Sequence, residues 1–459
     1  MDSKKRILIT IVSCAFFMEG LDATIINTAL PQIAHTLGTD PLHLKIALTA
    51  YLLAAGIIIP ISGWMADRFG VRRIFTNAIL LFLVGSIACG LSHSLTELVI
   101  ARIIQGAGGA LSLPVGRLLF VRNFSKKELP GVMSLTATFG LLGPSLSPLL
   151  GGALTTYLTW RAIFFVNIPV GCIGFYFALR YIENYKDPKV KRFDFLGFSI
   201  LSIALACILT GLDSLIDPIL NELFTAFILC AGFAVLFLYV LYAKGRDYAL
   251  ISLALFKEPT FSIAVLGSLF IRLAISASPF LIPLLLQVGF GYSPMISGIL
   301  TAISAGGMLI TKLFVNQTLT HFGHRRVLII NGVLLSISTL SLSLLALHPP
   351  MIVMALLILC NGIVISLQFT AMNTLSYSSI PQTLQASGSS FISSFQQLMS
   401  SFSIACAALM LEIFLHSRFI LHTYSPPAFG KTFMVMALFP LLGCFVFMKL
   451  KSVNSELLR

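Results

Sequence analysis

Gly63-Trp64-Met65-Ala66-Asp67-Arg68-Phe69-Gly70-Val71-Arg72-Arg73 is the stretch whose reading decides the fold. An apolar run of about twenty residues leads into it and another leaves it, which is membrane-spanning length. A tight charged turn between two such helices belongs at a membrane surface. Its core recurs downstream: Phe69-Gly70-Val71-Arg72-Arg73-Ile74 returns as Phe322-Gly323-His324-Arg325-Arg326-Val327. Two copies of one turn imply two copies of one helical bundle.

The composition agrees. Of 459 residues, 57% are hydrophobic and only 10% are charged, against about 25% charged in soluble domains. The apolar runs predict an all-α integral membrane protein. Its spans lie near 7–28, 45–66, 74–93, 97–118, 131–156, 162–182, 195–212, 223–243, 260–286, 295–313, 327–347, 351–372, 388–412 and 432–449. The basic N-terminus leads into an apolar run with no small-residue cleavage site, and reads as an uncleaved first span. The eight cysteines fall inside apolar runs without a CxxC or Cys/His cluster, which leaves them packing roles and no metal. No catalytic triad, nucleotide-binding Gly-Lys loop or soluble domain supports an enzyme or a sensor.

Lysine and arginine set the orientation. Of 30 such residues, only Lys45, Arg161, Arg418 and Lys431 fall in loops of one side, and Arg102 and Arg272 lie within spans. The rest, including Lys126, Lys189, Lys191, Arg192, Lys451 and Arg459, mark the cytoplasmic side, with both termini on it. The net charge of +13 therefore reports topology and contact with anionic lipid, not nucleic acid. The two turns lie eight spans apart, between spans 2 and 3 and between spans 10 and 11. A duplicated six-span unit would set them six apart, so spans 7 and 8 are an insertion. The expected units are a six-helix bundle at 1–183, an inserted pair at 184–258 and a second six-helix bundle at 259–459, the bundles related by an axis along the membrane normal.

Within the turn, Gly63 allows a close helix approach and Gly70 the tight turn. Asp67, Arg68, Arg72 and Arg73 are candidates for a cytoplasmic gate whose ion pairs form and break, or for simple membrane anchoring. In span 1, Glu19 and Asp22 share a helical face. Asp22 lies roughly 22 Å from the cytoplasmic start of its span, and Arg102 roughly 8 Å from the outer start of span 4. The matched depths permit an ion pair, with Asp22 or Glu19 binding and releasing a proton under the influence of Arg102; a static pair that fixes helix register is the alternative. Gln105 lies one turn deeper. Gly143, Pro144, Pro148, Gly151 and Gly152 in span 5 suggest a hinge or close helix packing. Arg272 is a lone cation in span 9. It is a candidate for the substrate cavity with Gln105, Asn361, Gln368, Asn373 and Gln396; the last four also suit interhelical hydrogen bonds.

These residues also carry a resemblance. Leu21 to Pro31 resembles the span 1 signature of the fourteen-span drug:proton antiporters of the major facilitator superfamily. Gly63 to Arg73, Arg102 to Gly109, Gly143-Pro144 with Gly151-Gly152, and Trp160 to Gly171 resemble further motifs of that branch, in order. Arg272, Pro279-Phe280, Leu286-Gln287, the second turn, and Met372 to Leu375 resemble its MdtD-like bacterial members. The resemblance implies the major facilitator fold and a multi-pass protein of the bacterial inner membrane. It also implies a monomer with no cofactor beyond the proton motive force, and coupling roles for Arg102 and the span 1 acid. Ser147 stands where the span 5 motif commonly has glycine, and Glu19 is an added carboxylate. The expected function is proton-driven efflux of drugs or amphipathic toxic compounds by alternating access. The alternative is transport of an anionic metabolite or metal chelator, suggested by Arg102 and Arg272.

Overall fold

The structure, a computed structural model, describes residues 3–125, 127–186, 193–215, 221–246, 249–381, 384–416 and 424–450. Lys126, Lys189, Lys191, Arg192, Arg418, Lys451 and Arg459 of the charge pattern lie outside the described residues. Fourteen helices are long and apolar enough to cross a membrane. We number them α1 (Ser3–Leu37), α2 (Lys45–Phe69), α3 (Val71–Leu91), α4 (Leu95–Asn123), α5 (Leu129–Tyr157), α6 (Ala162–Tyr181), α7 (Phe195–Ser214) and α8 (Glu222–Ala243). The remainder are α9 (Pro259–Gly289), α10 (Pro294–Thr311), α11 (His324–Leu347), α12 (Met351–Ser378), α13 (Gln385–His416) and α14 (Pro426–Phe447). Lipid offers the backbone no hydrogen-bond partner, so helices persist even through internal prolines. α5 runs unbroken past Pro144 and Pro148.

The packing repeats with a step of eight helices. α1 packs on α5 as α9 packs on α13, and α2 on α4 as α10 on α12. Across the middle, α2 meets α13 and α5 meets α10, which are equivalent contacts under the same step. Both copies of the opening turn adopt one backbone form. Gly70 has φ +102° and Gly323 φ +75°, values that residues with a Cβ rarely adopt. Each glycine N–H bonds the carbonyl four residues back, Ala66 at 2.9 Å and Leu319 at 3.0 Å.

α7 and α8 pair with each other, and α7 also touches both α2 and α13. Lys45, counted with the outer loops at the expected start of span 2, is the first residue of α2 and is 2% exposed. It pairs with Asp213 of α7 at 3.1 Å. A carboxylate partner offsets much of the cost of burying a charged lysine, and the sequence offers no periodicity that links positions so far apart.

On the turn face, Lys5 of α1 pairs with Glu128 at the head of α5 at 2.8 Å. Hydrogen bonds from Lys5 and Ser125 hold the Glu128 carboxyl at about 2. The stability this pair lends is present above the ordinary carboxylate range and is lost only as the pH falls towards that value.

Small residues set how close the helices come. A Cβ on Gly143 would lie 2.5 Å from the Phe17 carbonyl of α1, whereas one on Gly131 would meet nothing within 4 Å. Gly143→Ala should therefore lower the melting temperature in detergent, at a cost of about 1–3 kcal/mol, while Gly131→Ala should not. Asp213→Asn should also destabilise, and Lys45→Met with Asp213→Leu should recover the loss, because an apolar pair removes both buried charges. Melting curves of the four variants check both.

Candidate functional site

Asp22 and Arg102 are both fully buried, and they touch: Arg102 Nη1 donates to Asp22 Oδ2 at 2.7 Å. The second carboxylate oxygen accepts from Gln105 Nε2 at 2.7 Å and from Asn167 Nδ2 at 2.8 Å. Arg102 Nη1 also donates to Gln105 Oε1 at 2.7 Å, and Arg102 Nε to the Ala47 carbonyl at 3.4 Å. Gln105 donates to Ser86 at 2.8 Å. The Tyr51 ring lies 4.0 Å from the guanidinium carbon, a cation–π contact. Residues of α1, α2, α3, α4 and α6 thus converge on one pair. The glycines after Gln105 make this possible, since a Cβ on Gly106 or Gly108 would come within 2.5 Å of the Tyr51 carbonyl or the Phe82 nitrogen.

Between the halves lies a cavity of about 1150 Å³. Glu19, Arg117 and Pro144 line it from the first half, and Lys312, Asn373 and Gln396 from the second. Its outer lining sits at the turn-face ends of α4, α5, α12 and α13, so the cavity opens there. The sequence groups Glu19 and Asp22 on one face; the structure separates them, Glu19 at the cavity wall and Asp22 behind it in the buried network.

The cavity corrects several positions. Gln105 is not at its wall but among the donors to Asp22. Arg272 is 5% exposed and stands one layer back, donating to Asn373 Oδ1 at 2.8 Å, where Gln396 also donates at 3.0 Å. Asn361 bonds Ser338 at 3.0 Å, and Gln368 accepts from Asn331 at 2.9 Å, so both tie α12 to α11. Of the six residues the sequence assigns to the cavity, Asn373 and Gln396 line it. Period and polarity show that a residue faces protein; they do not show whether it faces a neighbour or a void.

At the turn, Asp67 pairs with Arg122 of α4 at 2.9 Å. Arg68 and Arg73 are exposed and Arg72 is half-buried. Gly70 packs on Asn184, whose Oδ1 would lie 2.1 Å from a Cβ there. Gly63 contradicts the expected close approach, since a Cβ would meet nothing within 4 Å; the halves are apart at this end. At the opposite end they are shut. Gly152 abuts the Pro294 carbonyl at 2.5 Å from its Cβ position, and Gly298 abuts that of Pro148 at 2.3 Å. Gly151 abuts Thr28, while Ser147 bonds Thr24 of α1 at 2.6 Å.

Sequence reasoning missed the polar closure of that end. Gln287 donates to the Thr28 carbonyl at 2.9 Å, Met295 N to Thr156 at 3.0 Å, and the Tyr424 hydroxyl to Asp40. Asn167 was visible only as part of a motif, with nothing to tie it to Asp22. Arg102→Gln should strand a buried carboxylate at a cost of roughly 3–5 kcal/mol, and adding Asp22→Asn should restore part of it. A double-mutant cycle on thermal unfolding reads the coupling.

Residues 12–404 match the family model described as Major Facilitator Superfamily. The "Putative multidrug resistance protein MdtD" of Escherichia coli (strain K12) is 38% identical over 447 residues, 97% of this chain and 95% of that protein. The protein of that name from Shigella boydii serotype 18 matches to the same extent. Among solved structures, an auto-inhibited POT family peptide transporter superposes with a TM-score of 0.72 at 13% identity, over 98% of each chain. A D-xylose-proton symporter superposes with a TM-score of 0.69 at 15% identity, over 95% of this chain and 97% of its own. The repeated six-helix packing, the central cavity and these likenesses have one reading: the chain belongs to the Major Facilitator Superfamily and is a multi-pass membrane transporter, not an enzyme.

Proposed function

We propose that this transporter is a proton-driven antiporter that exports drugs or amphipathic toxic compounds by alternating access. The observation that carries the reading is the buried Asp22–Arg102 pair beside a cavity whose wall holds Glu19. Carboxylates at membrane depth are costly, and they are retained where a charge must change during the cycle. The multidrug name borne by the relatives supports the substrate class. The lysine and arginine pattern supports a cytoplasmic position for both termini, so the cavity faces the cytoplasm and would load there. The bundles 1–183 and 259–459 would rock against each other, with 184–258 as an attached pair and the turn at Asp67 as the cytoplasmic gate. The working unit is a monomer driven by the proton motive force alone.

One observation favours a second reading. Arg117 and Lys312 are exposed in the cavity, and Arg272 stands behind Asn373. This is a setting for an anionic metabolite or a metal chelator.

Purified protein in acid-loaded proteoliposomes tests both. Adding a lipophilic cation such as ethidium should trigger proton efflux, and Asp22→Asn should abolish it while the protein stays folded. Substrate flux indifferent to the proton gradient and to Asp22 would overturn antiport. Competition by a tricarboxylate, lost in Arg272→Ala, would establish the second reading instead.

A further inference from the structure

Among the described residues, the cavity is lined by three charged side chains, Glu19, Arg117 and Lys312. None of the three has an ion-pair partner there. Glu19 is 5% exposed, and its Oε2 is buried without a hydrogen-bond partner. Lys312 donates to the Thr370 hydroxyl at 3.3 Å. Two other charges at membrane depth, Asp22 and Lys45, are matched by Arg102 and Asp213. Charges left unmatched around a void are available to a molecule that enters it.

The three are sorted by depth. Lys4 and Asn123 border one recess on the turn face, so the start of α1 and the end of α4 lie level. From that level Glu19 is about 22 Å into the membrane and Arg117 about 9 Å, at helical rise. A second measure agrees. Gly109, whose Cβ position lies 3.4 Å from Glu19 Cγ, precedes Arg117 by about 12 Å along α4. Lys312 directly follows α10 at its turn-face end. Arg272 adds positive charge from behind Asn373, which stands about 8 Å from the turn-face end of α12. The cavity is therefore acidic at its closed end and basic towards its mouth. Phe16, one turn nearer the mouth than Glu19, lines it together with Phe120, Phe369 and Tyr377. Such rings suit a flat apolar body.

We propose that the cargo is a zwitterion, an aromatic amphipath with a protonated amine at one end and an anionic group at the other. The amine meets Glu19 at the closed end, and the anionic group faces Arg117 and Lys312 near the mouth. A simple cation would satisfy Glu19 but leave two like charges unmatched at the mouth. A simple anion would suit the mouth and leave Glu19 without a partner. A dipolar molecule answers both ends and fixes its own direction in the cavity. The proposal rests on the transport reading above and specifies the cargo of that same cavity.

Equilibrium dialysis of the purified protein at neutral pH tests this without a proton gradient. Norfloxacin is a flat zwitterion with its amine and carboxylate at opposite ends; its methyl ester keeps only the amine charge, and its N-acetyl derivative only the carboxylate. Norfloxacin should bind more tightly than either derivative by roughly tenfold to a hundredfold. Glu19→Gln should abolish its advantage over the N-acetyl derivative. Arg117→Gln with Lys312→Gln, both at exposed positions, should abolish its advantage over the ester, and serves if Glu19→Gln does not fold. An ester or N-acetyl derivative that binds as well as norfloxacin would overturn the proposal, as would binding of none of the three or variants that weaken all three alike. Each of these results leaves antiport standing. Norfloxacin that binds with the expected selectivity but releases no protons from acid-loaded proteoliposomes would overturn antiport and leave the cargo class intact.

Discussion

The structure depends on one electrostatic constraint: a carboxylate and a guanidinium, both fully buried, must be satisfied where neither water nor lipid can help. Removing such ions from water costs several kcal/mol each, and their attraction repays that only if the other lone pairs and N–H groups also find partners. Asp22 accepts three hydrogen bonds, from Arg102, Gln105 and Asn167. Those donors come from α4 and α6, with α2 and α3 supplying Ala47 and Ser86. The first half is organised around this pair, and a change of charge on it is felt by five helices together.

Among the described residues the second half has no equivalent buried carboxylate–guanidinium pair. Arg272 occupies the corresponding helix but donates to the amide of Asn373, with the Phe369 ring 5.1 Å from its guanidinium carbon. Among the described residues no carboxylate lies within ion-pair distance of it. The pseudo-symmetry of packing is thus not a symmetry of charge. The first half carries the acid, and the second presents an amide-lined, cationic wall. That asymmetry is what a transporter needs if one half handles the proton and the other contributes mainly to holding cargo.

The cavity and the shut face are two sides of the same packing. Where Gly152 and Gly298 let α5 and α10 meet backbone to backbone, the halves seal; at the other end the same helices diverge, and Gly63 faces open space. Alternating access requires the reverse arrangement to be of similar energy. Among the described residues the closed end is held by neutral hydrogen bonds such as Gln287 to Thr28 and Met295 to Thr156, and by the Tyr424 hydroxyl, which donates to Asp40 and accepts from the Leu42 N–H.

Much of the fold was legible in the chain itself, for a physical reason. Lipid forces every spanning segment to be a helix and every loop to carry the charge, so number, order and the duplicated turn follow from hydropathy and from Gly70 and Gly323. The depth argument that paired Asp22 with Arg102 worked for the same reason, because helical rise converts position into height. What height cannot give is azimuth. Whether Glu19 faces the cavity and Asp22 the core, whether Gln368 meets Asn331 or cargo, and that Lys45 finds Asp213 rather than water all depend on how helices rotate and pack. The sequence determined the layers of this protein; only tertiary packing decided which side chains within a layer meet, because contacts between distant helices leave no period in the chain.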